Sequence, residues 1–274
     1  MKKENTMKTP IALTIAASDS SGGAGIPADI KSMSALGVYS ATVFTALTAQ
    51  NTKEVRSIFP VSLDFVTEQI QTVFDDIAID AVKIGMLVTA DITETVAKSL
   101  KAVKAKNIVL DPVMVAKSGD RLLTDDVTLA LKEYLIPMSD IITPNLPEAS
   151  EILGVAEANS HEQMQEITRQ LLSLGSKSVL LKGGHLQSDI SHDVFFNGEE
   201  MFTLSSPRIK TKNTHGTGCT MSSAIASFLA KGDNMEQAVR GAKKYIAQAV
   251  EHSDKLHIGS GHGPVHHFYD IWDK

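Results

Sequence analysis

The sequence of 274 residues contains one cysteine, 5% aromatic residues and no long apolar run. A single cysteine excludes an intramolecular disulfide and indicates a reducing compartment. The apolar stretch Ile11 to Ala17 is soon interrupted by Asp19 and is too short for a signal peptide or a membrane-spanning helix. The formal net charge of −6 argues against nucleic acid or an anionic membrane as a partner. We therefore predict a cytoplasmic protein that binds anionic ligands through local basic residues and backbone amides.

Linkers and repeats are also absent, because no Pro/Ser-rich stretch, charge run or internal repeat interrupts the chain. A chain of this length is sufficient for one large core. Its 43% hydrophobic and 21% charged residues are typical of globular proteins. We therefore predict one domain over residues 1–274, in which residues 1–10 form a polar N-terminal extension.

Short apolar segments alternate with helical patterns along most of the chain. Apolar residues recur at spacings of three and four in residues 63–77 and 164–174, which predicts two amphipathic helices. The short segments resemble strands that helices bury on both faces: IALTIAAS, ATVFTALTA, AVKIGMLV, NIVLDPVMV, DIITPN and SVLLKGG. This alternation predicts an α/β fold with a mostly parallel sheet. Asn197-Gly198, between two strand-like segments, predicts one antiparallel hairpin.

Ligands of open α/β sheets bind at the carboxyl ends of the strands. The predicted strands end in residues that are unusually rich in ligand-binding groups. These are Asp19 with SSGGAG, Gln50-Asn51, Lys83 to Met86, Asp111-Pro112, Asn145 with Glu148, and Lys182 to Gly184. They are therefore the candidates for a functional site.

Gly216 and Gly218 precede a helical stripe of apolar residues that begins at Met221. Glycines let the backbone turn several N–H groups toward one point, and a helix N-terminus adds partial positive charge. This segment therefore suits a phosphate, or the charge that builds up on a phosphoryl group during transfer. The alternative is an ordinary helix start with Thr217 as its N-cap, because short Gly-x-Gly sequences are common.

Cys219, the only cysteine, follows these glycines at the predicted helix start. A helix N-terminus can lower the pKa of a thiol, which would make Cys219 a thiolate or a proton acceptor. The alternative is a small buried residue that packs in the first turn. The sequence alone favours neither interpretation.

Asp19 is followed by the glycine-rich turn SSGGAG at the end of the first predicted strand. The carboxylate could accept a hydrogen bond from a ligand hydroxyl, or it could belong to an ordinary Asp/Ser turn. The glycine spacing does not match G-x-G-x-x-G, and the sequence contains no G-x-x-x-x-G-K-[ST] motif. If a nucleotide binds, a different class of site must hold it.

Asn145 and Glu148 lie three residues apart at a strand-to-helix junction, with Pro147 near the first helical turn. A carboxylate there can bind Mg²⁺, directly or through water, or it can simply interact with the helix dipole. Asp111, at the end of another strand, is a second acidic candidate. Lys182, before two glycines, could reach phosphate oxygens, or it could be a solvated lysine.

The segment GSGHGPVHHF contains three histidines, at positions 262, 266 and 267. Its glycines and proline prevent a regular helical face of metal ligands, and no cysteine or acidic partner is close in sequence. We therefore do not expect a metal site there.

Eight motifs occur in an order that resembles the bacterial hydroxymethylpyrimidine/phosphomethylpyrimidine kinases of the ribokinase-like superfamily. They span residues 11–272: SDSSGGAGI.AD, TAQNT, KIGML, DPVM..KSGD, TPNLPEA, LKGGH, KNTHGTGCT and GHGPVHHF. The resemblance implies a three-layer αβα sandwich and ATP-dependent phosphorylation of 4-amino-5-hydroxymethyl-2-methylpyrimidine, first on its alcohol and then on the monophosphate. It also implies Mg²⁺ and a homodimer, or a dimer of dimers, in the cytosol.

The resemblance further implies roles for individual residues. Gln50 would contact the pyrimidine, and its amide matches an exocyclic amine beside a ring nitrogen. Met86 would pack on the ring, and Asp19 with the turn through Gly25 would line the substrate pocket. The remaining implied roles are Asp111, Asn145 and Glu148 around Mg²⁺ and phosphates, Lys182 and Thr214 on ATP phosphates, and Gly216, Thr217, Gly218 and Cys219 as the anion hole.

Several features leave alternatives open. The wider superfamily usually has an aspartate base where Cys219 stands, and Pro27 occupies a place where the family commonly has glutamine. A related pyridoxal kinase is the nearest alternative, although those enzymes often lack the glutamine of TAQN. A catalytically inactive ligand sensor of the same fold is another alternative. Small and charged residues in the segment Val115 to Leu123 make it a candidate lid.

Overall fold

The computed structural model describes residues 8–114, 124–184 and 189–272. The candidate lid, residues 115–123, lies outside these described residues. Nine strands form one sheet in the order β3-β2-β1-β4-β5-β6-β7-β8-β9. The strands are β1 Ile11–Ala17, β2 Tyr39–Gln50, β3 Val55–Pro60, β4 Ala81–Ile84, β5 Ile108–Leu110, β6 Ile141–Ile142, β7 Val179–Lys182, β8 Ile190–Phe196 and β9 Met201–Pro207.

The centre of the sheet is parallel and both edges are antiparallel. Strands β2, β1, β4, β5, β6 and β7 pair in parallel, as the alternating pattern predicts. The predicted hairpin is confirmed, because β8 and β9 pair antiparallel around the turn at Asn197-Gly198. Two further antiparallel pairs were not predicted: β7 pairs with β8, and β3 returns along β2, which continues to Gln50.

Helices cover both faces of the sheet. The bounds are α1 Gly25–Ala35, α2 Leu63–Asp76, α3 Ala90–Ala102, α4 Asp125–Ala130, α5 Leu146–Leu153, α6 His161–Leu172, α7 Thr217–Ala230 and α8 Met235–Glu251. A π-helix at Leu131–Leu135 and 3-10 turns at Ile136–Met138 and Ser253–Lys255 complete the helical elements. None of the helices within the described ranges is long and apolar enough to cross a membrane.

Two hydrophobic cores, one on each face, make the fold a three-layer αβα sandwich. Alternate residues of β1 show the division: Leu13 packs with α2 to α6 on one face, and Ala12 packs with α1, α7 and α8 on the other. Both predicted amphipathic helices are present, as α2 and α6, and each contributes its apolar stripe to the first core. The loops after the parallel strands therefore meet at one edge of the sheet.

Candidate active site

A cavity of about 630 Å³ opens where these strand ends meet. Every residue that the sequence analysis singled out for a site role lines this cavity: Asp19, Gly25, Gln50, Met86, Asp111, Asn145, Glu148, Lys182, Thr214, Gly216, Thr217, Gly218 and Cys219. The glutamine and the glycine-rich loop, which are 166 positions apart in the sequence, therefore border the same space.

The glycine-rich loop ends in a left-handed residue. Gly216 has φ 78° and ψ 8° and is the N-cap of α7, so the predicted N-cap, Thr217, is instead the first helical residue. The Thr217 hydroxyl donates to the Thr214 carbonyl at 2.7 Å, which closes the turn before the helix. A Cβ at Gly216 would lie 1.9 Å from the Gly23 carbonyl oxygen. The Thr217 amide donates to the Thr214 carbonyl at 3.3 Å, and the next two residues of α7, Gly218 and Cys219, line the cavity at the helix start, where amides have no intrahelical acceptors. This arrangement suits an anion.

The Asp19 carboxylate organises the turn that contacts this loop. It accepts bonds from the amides of Ser21, Gly23 and Ala24 and from the Ser21 hydroxyl, at 2.7–3.1 Å. His215 Nε2 lies 2.7 Å from the same carboxylate. Burial alone would raise the pKa of Asp19, but His215 and Ser21 outweigh it and lower that pKa. The observed contacts are those of a positioning group, and a direct contact of Asp19 with a substrate stays a prediction.

Gly25 and Met86 form part of the cavity wall beside β1. Gly25 has φ +55°, and a Cβ there would lie 2.4 Å from the Ala17 carbonyl oxygen. The Met86 carbonyl accepts bonds from the Ala17 amide at 3.1 Å and the Thr45 hydroxyl at 3.0 Å. Pro27 lies in the first turn of α1, where a missing N–H costs no helical bond.

Asp111 and Lys182 form a buried ion pair at the ends of β5 and β7. Lys182 Nζ lies 2.8 Å from Asp111 Oδ1, which also accepts from the Thr143 hydroxyl at 3.1 Å. Burial would raise the pKa of Asp111, but Lys182 and Lys83 lower it below its usual value. A Cβ on Gly218 would lie 3.2 Å from Lys182 Nζ, so this ammonium sits against the start of α7.

Glu148 and Asn145 cap α5 reciprocally. The Asn145 side chain accepts from the Glu148 amide at 2.9 Å, and the Glu148 carboxylate accepts from the Asn145 amide at 2.7 Å. Burial raises the pKa of Glu148 to about 7; Lys182 opposes this shift, and the nearby Asp111 adds to it. Glu148 therefore caps the start of α5, and the residue also lines the cavity.

The donor set at this end of the cavity fits Mg²⁺ delivered with a nucleotide. In the part of the chain that the structure describes, no cluster of three or more His, Cys, Asp or Glu side chains could hold a metal alone. Mg²⁺ usually takes one or two carboxylates together with substrate phosphates and water. Asp111 and Glu148 provide two carboxylates. Burial raises the pKa of Glu148 by disfavouring its ionised form, and a cation bound beside the carboxylate would stabilise that form.

The Cys219 thiol is half-buried and free. Burial raises its pKa to about 11; Asp29 and Asp111 add to this shift, whereas Lys83 opposes it. The lowered pKa considered from the sequence is therefore wrong. Burial and two carboxylates outweigh the helix N-terminus, and Cys219 is a thiol at neutral pH.

Two groups at the site were given no individual role in the sequence analysis. His215 lies inside the motif KNTHGTGCT, but nothing in its spacing indicates the Asp19 contact, which spans 196 positions. Lys83 is completely buried, lines the cavity and pairs with Asp29 at 2.9 Å. The sequence signal for a special role of Lys83 was its place within the apolar strand AVKI, because strands buried on both faces rarely contain a charge.

Gln50 lies at the end of β2, and its backbone is held from both sides by Ser20. The Ser20 hydroxyl donates to the Gln50 carbonyl and accepts from the Gln50 amide, both at 2.8 Å. The Gln50 side-chain oxygen accepts from Thr48 at 3.2 Å. Gln50 and Met86 both line the cavity.

The turn after Gln50 packs against the C-terminal glycine loop. His262 donates its amide to the Thr52 carbonyl at 2.8 Å, and the Gly261 amide donates to the Thr52 hydroxyl at 3.2 Å. A Cβ on Gly261 would lie 2.0 Å from the Thr52 carbonyl oxygen. The same loop contacts the strand before the anion site, where the His215 amide donates to the Gly263 carbonyl at 3.0 Å. The C-terminal glycine loop therefore connects the turn after Gln50 to the segment that precedes Gly216.

Gly261→Ala is expected to raise KM for the substrate that Gln50 contacts by about tenfold, or about 1.4 kcal/mol, and to leave KM for the nucleotide unchanged. The added methyl group forces the loop away from Thr52 and displaces the β2–β3 turn. Steady-state kinetics with each substrate varied in turn measure this. Gly154→Ala is the control, because a Cβ there meets nothing within 4 Å. A parallel rise in both KM values would contradict the prediction.

The C-terminal histidines have structural partners. His267 is buried, its Nε2 lies 3.1 Å from the Thr220 hydroxyl, and burial lowers its pKa to about 3. His262 Nδ1 lies 3.4 Å from the Lys212 carbonyl oxygen. His266 is also buried and donates its amide to the Ala249 carbonyl at 2.9 Å.

Comparisons with known proteins identify the family and the fold. The family model for phosphomethylpyrimidine kinase matches residues 19–266. The hydroxymethylpyrimidine/phosphomethylpyrimidine kinase of Escherichia coli is 48% identical over 268 residues, which cover 97% of this chain and 100% of that protein. A thiamine biosynthesis bifunctional protein of Geobacter sulfurreducens is also 48% identical, over 96% of this chain and 54% of its own length. An ADP complex of Bacillus subtilis pyridoxal kinase superposes with a TM-score of 0.90 at 39% identity, covering 97% of this chain and 100% of that one.

Proposed function

The chain belongs to the phosphomethylpyrimidine kinase family, and we propose that it uses ATP to phosphorylate 4-amino-5-hydroxymethyl-2-methylpyrimidine in thiamine biosynthesis. The alcohol is phosphorylated first, and the same site then converts the monophosphate to the diphosphate. The observation that carries this proposal is the shared cavity of Gln50 and the loop Gly216–Cys219. It places an amide suited to an aminopyrimidine beside donors suited to a phosphoryl group.

The pyrimidine binds at the end of the cavity formed by Gln50, Met86 and the turn from Asp19 to Gly25. The Gln50 amide pairs with the exocyclic amine and the neighbouring ring nitrogen, since it offers both a donor and an acceptor. Met86 packs on the ring. The Ser20 contacts support this assignment, because they fix the Gln50 backbone from which the side-chain amide extends.

ATP binds at the opposite end, where its phosphates meet Lys182, Thr214 and Asn145. Asp111 and Glu148 would hold Mg²⁺, which would supply positive charge to the phosphates of the nucleotide. Lys182 is suited to its role because Asp111 and Glu148 keep its ammonium charged despite burial, and they raise its pKa. The ADP in the Bacillus subtilis structure supports the nucleotide class.

Catalysis rests on positioning and charge stabilisation. The hydroxymethyl group lies near Cys219, in line with the γ-phosphorus. The amides at the start of α7 and the Lys182 ammonium stabilise the charge on the transferring group. The transition state of phosphoryl transfer is loose, so the acceptor hydroxyl needs only weak assistance from a base. A thiol of raised pKa at this position is compatible with such a reaction.

Cys219→Ala is expected to lower kcat with little change in KM for ATP, by about 10²-fold, which is at the low end for general-base catalysis. The reason is that Cys219 faces the acceptor hydroxyl rather than the nucleotide. Steady-state kinetics on the purified variant measure both constants. Unchanged turnover would remove Cys219 from the mechanism.

A coupled assay with the hydroxymethylpyrimidine and ATP, followed by mass analysis for the mono- and diphosphate, tests the proposed function. Turnover of pyridoxal is measured in parallel, since a structural neighbour is a pyridoxal kinase. A large preference for pyridoxal would replace the proposed substrate. Failure to release ADP with either compound would instead indicate a ligand sensor of the same fold.

We further propose that the chain acts as one cytoplasmic kinase domain and as a homodimer, the simplest form of the dimer or dimer of dimers that the family resemblance implies. An apolar surface supports self-association: Phe59 and Phe65 are 70% and 52% exposed, and they border a groove beside the edge strand β3. Exposed apolar patches with an unpaired strand edge commonly mark interfaces. Light scattering on the purified chain measures the oligomeric state.

A further inference from the structure

Lys83 is a completely buried cation that the mechanism above does not use. It lies in the centre of β4, borders the active-site cavity, and pairs with Asp29 of α1 at 2.9 Å. Desolvation of a lysine is costly unless the charge is paired. Burial would lower the pKa of Lys83, but Asp29, Cys219 and Asp111 outweigh it and raise that pKa, so the side chain is an ammonium.

The pair is attached to the helix that carries Cys219. Asp29 also accepts bonds from the Thr14 hydroxyl at 2.6 Å and from the Ser223 hydroxyl at 2.7 Å. Ser223 lies four residues after Cys219 on α7, and residues at this spacing share a helix face. The Lys83–Asp29 pair therefore lies on the Cys219 face of α7.

The ammonium retains donors for the cavity side. Within the described residues, Asp29 is the only hydrogen-bond partner of Lys83 Nζ, which leaves two of its three N–H groups. The charged and polar groups around Cys219 come from four elements: Lys83 of β4, Asp29 and the Gly25 amide of α1, Asp111 after β5, and Lys182 of β7. Both carboxylates oppose ionisation of the thiol, whereas the two lysines favour it.

We propose that Lys83 is a positioning residue for phosphoryl transfer, which acts through Cys219 by stabilising negative charge on its sulfur. This inference rests on the proposed function, in which the acceptor hydroxyl lies beside Cys219. Because the pKa of Cys219 is raised, the reaction proceeds through the small fraction of the protein in which the thiol has lost its proton to solvent, and Lys83 balances the charge of that thiolate. The thiolate accepts the hydroxyl proton as the acceptor oxygen bonds to the γ-phosphorus. The bond from that phosphorus to the bridging oxygen breaks, and its electron pair leaves with ADP.

The single cysteine allows a direct test. Iodoacetamide reacts with thiolates, so the pH profile of its reaction with the protein reports the ionisation of Cys219 alone. For Lys83→Met we expect the profile to move to higher pH by at least one unit, which makes alkylation about tenfold slower below the apparent pKa. We also expect kcat to fall, while KM for ATP stays the same.

A second variant separates this role from support of the fold. Lys83→Met leaves Asp29 buried without its cation, whereas Lys83→Met with Asp29→Asn removes both charges and preserves the side-chain shapes. For the double variant we expect a folded protein whose alkylation profile lies between those of the other two and whose kcat stays reduced. Lys98→Met is the control, because Lys98 is on the surface and pairs with Glu94.

Two results would overturn the proposal: an unchanged alkylation profile in Lys83→Met, or a double variant with the alkylation profile and kcat of the unchanged protein. The latter would show that Lys83 only supports the fold. Failure of the unchanged protein to phosphorylate the pyrimidine would contradict the proposed function instead. The alkylation profiles would still test Lys83 in that case, because they require no substrate.

Discussion

Lys182→Met is expected to lower kcat/KM for ATP by about 10³-fold, or about 4 kcal/mol. The substitution removes the ammonium that lies against the start of α7, where a Cβ on Gly218 would be 3.2 Å from Lys182 Nζ. It also leaves the Asp111 carboxylate buried without its cation, 2.8 Å from where that ammonium was. An unpaired buried carboxylate takes up a proton. Asp111 would then be a poorer ligand for Mg²⁺ as well.

The measurement is steady-state kinetics with ATP varied, together with thermal unfolding to show that the variant folds. Lys177→Met is the matched control, because Lys177 precedes the same strand and pairs with Asp140 at 2.7 Å, but is 76% exposed. An exposed pair of this kind contributes less than about 1 kcal/mol. Turnover of Lys182→Met close to that of the control would show that Lys182 does not act on the phosphates.

Gly216→Ala is expected to lower kcat by about 10²–10³-fold, the range seen when one donor of an anion hole is lost. Two independent features make this position intolerant of a side chain. The residue has φ 78°, a conformation that costs an alanine about 1–2 kcal/mol. Its Cβ would also lie 1.9 Å from the Gly23 carbonyl oxygen, so the anion loop and the Asp19 turn must separate.

Gly37→Ala separates the effect of backbone strain from the effect of moving the loop. Gly37 has φ +72° at the end of α1, but a Cβ there meets nothing within 4 Å. We expect this variant to lose about 1 kcal/mol of unfolding free energy and to keep its kcat. If Gly216→Ala and Gly37→Ala both lose unfolding free energy and both keep their kcat, the position of the loop Gly216–Cys219 does not control the reaction.

The helices and parallel strands could be predicted because their signals are local. The apolar spacings in residues 63–77 and 164–174 depend only on the helical repeat, and each helix forms where expected. The hairpin at Asn197-Gly198 is likewise determined by a short turn with φ +94° at the glycine. The β2–β3 pair was not predicted, although its turn, Asn51 to Glu54, has a local signal: the Asn51 side chain accepts from the amides of Lys53 and Glu54 at 2.8 and 3.2 Å. A loop more than 200 positions away also contacts Thr52 in this turn.

The identity of the site residues was also available from the sequence, since parallel strands place their carboxyl ends at one edge. All the residues to which the family resemblance gave individual roles do line the cavity, although those roles remain predictions. Asp19 shows the limit of this reasoning. Its place in the site followed from the strand end, but its partner His215 is 196 positions distant, and only the folded chain brings the two side chains together.

The order of motifs by itself determined the family, the α/β class and the set of residues around the cavity, because these depend on short-range patterns and on strand order. Only the tertiary structure decided the ionisation of those residues. The Cys219 thiol has its pKa raised to about 11, and the Glu148 carboxyl has its pKa raised to about 7. The free energy of a charge depends on how much water the fold excludes and on which distant charges it brings near, and no local pattern encodes either quantity.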